Sequence, residues 1–133
     1  MVLDAEGLVK LSQGNLDARA RAQQAYRRGS EVVTAASTLT EVLRGGPRDT
    51  RIHRVLSRMT VIPIDKKKGR AAGELLGRTG LSGHRCALDA LLAVVALAQA
   101  RPVVLLTSDP TDLTRLIEEP DRPRAQRIEV VRV

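Results

Sequence analysis

Residues 84–113 read HRCALDALLAVVALAQARPVVLLTSDPTDL, and this stretch decides the fold. Residues 86–100 are apolar on every helical face except for Asp89 and Gln99, the pattern of a helix covered by neighbours on most sides. Pro102 stops that helix, and residues 103–106 (VVLL) form the short continuous apolar run expected of a strand buried on both faces of a parallel sheet. Thr107, Ser108 and Asp109 close the strand, and Pro110 stands where a first helical residue tolerates proline. Helix, buried strand and helix in succession are the unit from which parallel α/β folds are built.

The same alternation continues outward in both directions. Towards the N-terminus, residues 2–3 lead into Asp4 as a first strand, and helices are expected at residues 6–13 and 16–28, with Gly29 stopping the second. Residues 31–36 carry the β-branched density of a second strand. Ser37 or Thr38 can then cap a short helix holding Glu41, before Gly45, Gly46 and Pro47 break the chain. An arginine-rich helix, a third strand at 60–64 and a helix at 67–78 precede the deciding stretch, and residues 127–133 form a last strand. The whole reads as one α/β domain over residues 1–133, with a parallel sheet covered on both faces.

Composition narrows the chemistry. Of 133 residues, 43% are hydrophobic and 28% charged, which is ordinary for a folded domain. Tyr26 is the only aromatic residue, which excludes nucleic-acid binding by rows of stacked bases. Cys86 stands alone, so neither an internal disulfide nor a cysteine-built zinc site can form. The 15 residues 86–100 fall short of a membrane span, and the N-terminus lacks the pattern of a signal peptide. A cytoplasmic protein with no membrane partner is the expectation.

The formal charge is +7, and its placement is more informative than its size. Residues 44–70 hold nine basic and two acidic side chains, and the rest of the chain is balanced. Within them Arg48, Arg51, Arg54 and Arg58 recur at helical spacing and are expected to line one stripe. With Arg44, that stripe would hold a polyanion through its phosphates. The alternative is a solvated helix face. His53 and His84 stand apart from one another and from any ligand set, and read as ordinary histidines.

Open parallel sheets place their sites at the carboxyl ends of strands, near the point where strand order reverses. Asp4 and Asp109 each follow a strand, Glu41 lies just beyond another, and Asp89 is the one charge in an apolar helix, where an unpaired carboxylate needs a partner. Asp4 and Asp109 can also cap the helices they precede, Asp109 with Asp112 three positions on. An all-carboxylate cluster suits Mg2+, with Mn2+ able to substitute. Such hard cations prefer oxygen donors, and they activate water against phosphodiesters.

Four segments, VLDAEGL (2–8), TEVLRG (40–45), ALDALLA (87–93) and TSDPTDL (107–113), resemble in order and spacing the PIN-domain family, specifically its VapC-type toxin ribonucleases. The resemblance implies a three-layer α/β/α fold with about five parallel strands. It also implies a catalytic and metal-binding set of Asp4, Glu41, Asp89 and Asp109, with Asp112 and Thr107 as auxiliaries. Metal-dependent endoribonuclease activity, homodimerisation and a cognate antitoxin that occupies the site follow from it too. Asp4, Asp89 and Asp109 would hold metal directly, and Glu41 would act through a water. Three other readings stay open at this point: an RNA-processing nuclease outside a toxin system, a non-catalytic RNA- or protein-binding module, and a phosphoacceptor domain. The last wants an acidic pair after the first strand and a lysine after the last, and both are missing here.

Overall fold

Alternate residues of each strand feed two different cores, the consequence of a two-residue side-chain period. Val2 and Leu105 face a cluster that includes Ala72, Ala90, Leu92, Leu113 and Leu116, whereas Leu3 and Leu106 face one that includes Leu8, Ala18, Ala22 and Ile52. The computed structural model describes residues 1–133. Its strands are β1 (Val2–Leu3), β2 (Val33–Ala35), β3 (Thr60–Ile62), β4 (Val104–Thr107) and β5 (Glu129–Arg132). The helices are α1 (Ala5–Ser12), α2 (Leu16–Arg27), α3 (Leu39–Val42), α4 (Thr50–Leu56), α5 (Lys66–Thr79), α6 (Gly83–Leu97) and α7 (Pro110–Leu116).

All strand pairs are parallel, in the order β3-β2-β1-β4-β5. The crossovers stepping outward from β1 to β3 put α1, α2 and α4 on one face, and those leading to β4 and β5 put α5, α6 and α7 on the other, as the right-handed rule for parallel crossovers requires when strand order reverses. The result is the three-layer α/β arrangement expected from the sequence. Order reverses between β1 and β4, so the carboxyl ends of those two strands are the switch point at which such sheets place their sites.

Local chemistry explains the element ends. Asn15 caps α2 by accepting the Ala18 N–H at 3.0 Å, and Asp65 caps α5 by accepting that of Lys68 at 2.9 Å. Gly29 and Gly80 end α2 and α5 at φ of 69° and 66°, a left-handed conformation that glycine adopts without steric cost. Three strands are shorter than the sequence pattern suggests. Pro63 has no ladder donor and stops β3 at Ile62, which in turn limits β2 to the three residues that pair with it. In the last strand, pairing with β4 begins only at Glu129.

The arginine stripe needs correction. Helix α4 covers only Thr50–Leu56, so Arg51 and Arg54 are helical, Arg48 lies in a preceding 3-10 turn (Pro47–Asp49), and Arg58 lies beyond the C-terminal cap Ser57. Pro47 opens the tight turn. The buried Asp49 carboxylate fixes it by accepting the N–H groups of Arg44 at 2.9 Å and Gly45 at 2.6 Å. These two donors hold the Asp49 carboxyl below the usual carboxylate range. The arginines stay exposed, but on a 3-10 turn, a short helix and the turn after it.

Candidate functional site

Asp4 leaves β1 in extended conformation and caps α1, its Oδ1 accepting the Gly7 N–H at 2.6 Å. The Thr107 side chain and the Ser108 N–H, both at the carboxyl end of β4, lie beside the same carboxylate and favour its ionised form. Burial pushes its pKa up, and these three donors only partly offset that. Thr107 is 1% exposed and also accepts the Asp109 N–H at 3.1 Å. Its hydroxyl donates to the Asp109 carbonyl at 3.2 Å, so it shapes, beside Asp4, the strand end that launches Asp109, which caps α7 through the Thr111 N–H at 3.3 Å. Capping and site placement coexist at both aspartates.

Asp89 projects from α6, half-buried. Its pKa is raised first by burial, then by the charges of Asp112, Asp4 and Asp109. Glu41, exposed on α3, is raised by partial burial and then by Asp89 and Asp4. These mutual effects place all five acids in one electrostatic cluster, built from β1, α3, α6 and α7. Not one of them is among the ion pairs of the molecule, which join Arg21 to Asp17, Lys68 to Asp65, and Arg101 and Arg122 to Glu119. A carboxylate group of this kind, unpaired and raised by its neighbours, fits a hard divalent cation, which supplies the missing positive charge through oxygen donors.

One participant went unread in the sequence. Cys86 is buried, three residues before Asp89 on the same helix, and its thiol faces the Asp112 Oδ2 at 3.5 Å. Ligand atoms of Cys86, Asp89 and Asp112 lie within 4.8 Å of one another. Burial, and then the bond to Asp112, push the thiol pKa up and keep it neutral. The i, i+3 spacing to Asp89 was the available signal.

The arginines and the acids are not interleaved. Arg44 turns back to donate to the Thr40 and Leu43 carbonyls at 3.0 and 2.7 Å, closing the end of α3. Arg44, Arg48 and Arg51 line a groove of about 390 Å³ against Val9, Val42 and Ile52. A cleft of about 910 Å³ lies against the C-terminal turns of α5 and α7, where Glu119 already neutralises Arg122. No helix is long and apolar enough to cross a membrane.

Gly7 is the tightest position around these acids. A Cβ there would stand 3.0 Å from the Leu106 carbonyl oxygen and 3.1 Å from Asp4 Oδ1. Gly7→Ala is therefore expected to push α1 off β4 and tilt the Asp4 carboxylate. A net stability loss of about 1 kcal/mol should remain after the helical preference for alanine is counted. Thermal melting, together with divalent-ion affinity reduced by about tenfold or more, checks this. Unchanged affinity would show that Asp4 is not positioned through Gly7.

A doubly wound parallel sheet that gathers unpaired carboxylates at its switch point defines a class of α/β proteins whose site is acidic and suited to divalent metal. The PIN domain model matches residues 1–116, and the chain belongs to the PIN-domain family. Among solved structures, the crystal structure of VapBC2 from Rickettsia felis bound to a DNA fragment from their promoter is similar, with a TM-score of 0.66 and 18% identity. The match covers 98% of this chain and 97% of that one. At that identity the likeness is one of fold. A search among curated proteins found no match.

Proposed function

We propose that the protein is a metal-dependent endoribonuclease, the toxin of a VapC-type toxin–antitoxin pair. The observation that carries this reading is the convergence of Asp4, Glu41, Asp89 and Asp109 at the sheet switch point with no cationic partner. It is supported by membership of the PIN-domain family and by a fold like that of VapBC2. Asp4, Asp89 and Asp109 would hold Mg2+ or Mn2+, which when bound supplies an acidified water and charge to stabilise the departing oxygen.

The chain's own groups do the rest. The Gly7 N–H fixes the Asp4 carboxylate, and Thr107 and the Ser108 N–H beside it favour its charged form. Glu41, the exposed member whose proton affinity is raised, orients the attacking water and accepts its proton on a carboxylate oxygen. Asp112 is held by the Cys86 thiol and sets the charge felt by Asp89. Arg44, Arg48, Arg51, Arg54 and Arg58 hold the RNA backbone, so affinity falls steeply with salt. A cytoplasmic homodimer inhibited by a cognate antitoxin completes the proposal.

The test is incubation of antitoxin-free protein with total cellular RNA in Mg2+, Mn2+ or EDTA, followed by mapping of new 5′ ends. Discrete ends in either metal and none in EDTA are expected. A folded, antitoxin-free protein that leaves RNA intact in both metals overturns the nuclease assignment. A short upstream reading frame encoding a DNA-binding protein separates a toxin from a nuclease of RNA maturation.

A further inference from the structure

We propose that Arg132 is a phosphate anchor that holds RNA on the flank of the acidic centre opposite Arg44 and Arg48. The proposal rests on reading that centre as an RNA-cleaving site, and it adds a residue beyond the 1–116 stretch matched by the family model.

Sheet order places it. Across the carboxyl edge, Glu41 follows β2, Asp4 follows β1 and Asp109 follows β4, while Arg132 is the last residue of β5, the outer strand on the β4 side. Arg44 and Arg48 follow α3 at the other end of that row, whereas Arg58 leads into β3 at the opposite, amino edge. The acids thus have Arg44 and Arg48 on one side along the sheet and Arg132 on the other. Arg132 stands in register with Thr107, the residue beside Asp4 whose hydroxyl accepts the Asp109 N–H. Two strand spacings separate β5 from β1, about 10 Å. A phosphate on Arg132 is therefore a neighbour of the one at Asp4, not the phosphate being cut.

The side chain is prepared for that contact. Its Nε donates to the Ser108 carbonyl at 3.1 Å, and the N–H of the same residue lies beside the Asp4 carboxylate. This single bond steers the exposed guanidinium to the rim of the site and reduces the rotamer freedom lost on binding. Four of the five guanidinium N–H donors stay free, and no carboxylate pairs with Arg132. Other arginines are engaged differently: Arg101 and Arg122 by Glu119, and Arg127 by the Arg122 and Pro120 carbonyls. A fork held at Nε with both terminal nitrogens open is the geometry that takes phosphate oxygens in a bidentate manner.

Arg132 is a positioning residue, so its loss should weaken binding and leave the chemical step alone. The probe is a fluorescein-labelled 15-nucleotide oligouridylate in EDTA, titrated by anisotropy at several salt concentrations. Arg132→Gln should bind about three- to tenfold more weakly, with the salt slope reduced by about 0.7 to 1. Arg132→Lys keeps the charge but loses the fork and should fall between. Arg27→Gln, on the exposed end of α2, removes the same charge elsewhere and should match wild type. In single-turnover cleavage of total RNA at saturating protein, Arg132→Gln should retain the wild-type rate. If wild type binds the probe and Arg132→Gln binds equally, or loses no more than Arg27→Gln, the anchor falls and the nuclease reading stands. If wild type cuts RNA but does not bind the probe, a sequence-independent anchor is likewise overturned. If wild type neither binds nor cuts, the nuclease reading falls first and the anchor with it.

Discussion

Asp4→Asn is expected to lower RNA cleavage by about 10³-fold or more while leaving the melting temperature within a few degrees of wild type. Asparagine keeps the oxygen that accepts the Gly7 N–H, and it is as good an N-cap as aspartate. What it removes is one negative charge and one hard oxygen donor from a cluster with no other counter-charge. A bound cation supplies several kcal/mol of charge stabilisation in such reactions, and every 1.4 kcal/mol is tenfold in rate. Asp4→Ala removes the cap as well and should cost about 1 kcal/mol more in stability. The pair of variants therefore separates the two jobs of the residue. Single-turnover cleavage in Mg2+ and calorimetric melting are the measurements. Asp4→Asn cutting within a few-fold of wild type would remove Asp4 from the reaction and leave it a helix cap.

How much of this was readable beforehand depended on which physical signal a residue emits. The stretch 84–113 was legible because a continuous apolar run, a proline and a strand-ending hydroxyl pair each have few structural solutions, and α6, β4 and α7 fall where those signals lie. The acids were legible as residues that follow strands, and Asp89 by its isolation among apolar neighbours. Their mutual coupling depends on strand order, which no local pattern carries. Helical spacing overstated the arginine stripe, because periodicity takes no account of Pro47 or of a strand that must begin at Thr60. Cys86 was read for redox chemistry, although its place on α6 put it against Asp112. Arg132 was hidden by charge arithmetic: outside residues 44–70 the charges cancel in number, but this one sits beside the acids in space.

Asp89→Asn should move stability and activity in opposite directions. Its carboxyl is raised by burial and by Asp112, Asp4 and Asp109, so near neutral pH the folded protein bears an ionised group that the unfolded chain solvates more easily. The direction with pH follows from linkage. A carboxyl raised in the folded state contributes stability that is fully present below its unfolded value, near 4, and is lost as pH rises through the folded value. In EDTA at pH 7.5, Asp89→Asn should therefore melt higher than wild type by about 3–5 °C, the equivalent of about 1 kcal/mol in a chain of this size. The gain should shrink as pH is lowered towards 4, as wild-type Asp89 takes up its proton in the folded state. Mn2+ should then reverse the ranking, because an ion that binds only the folded state stabilises the protein that retains its ligands. Cleavage by the variant should fall as far as for Asp4→Asn. Melting curves from pH 4 to 8, with EDTA and with Mn2+, read all of this at once. A variant that melts lower than wild type at every pH in EDTA would show that the Asp89 carboxylate holds the fold together, and would sink its assignment to the metal.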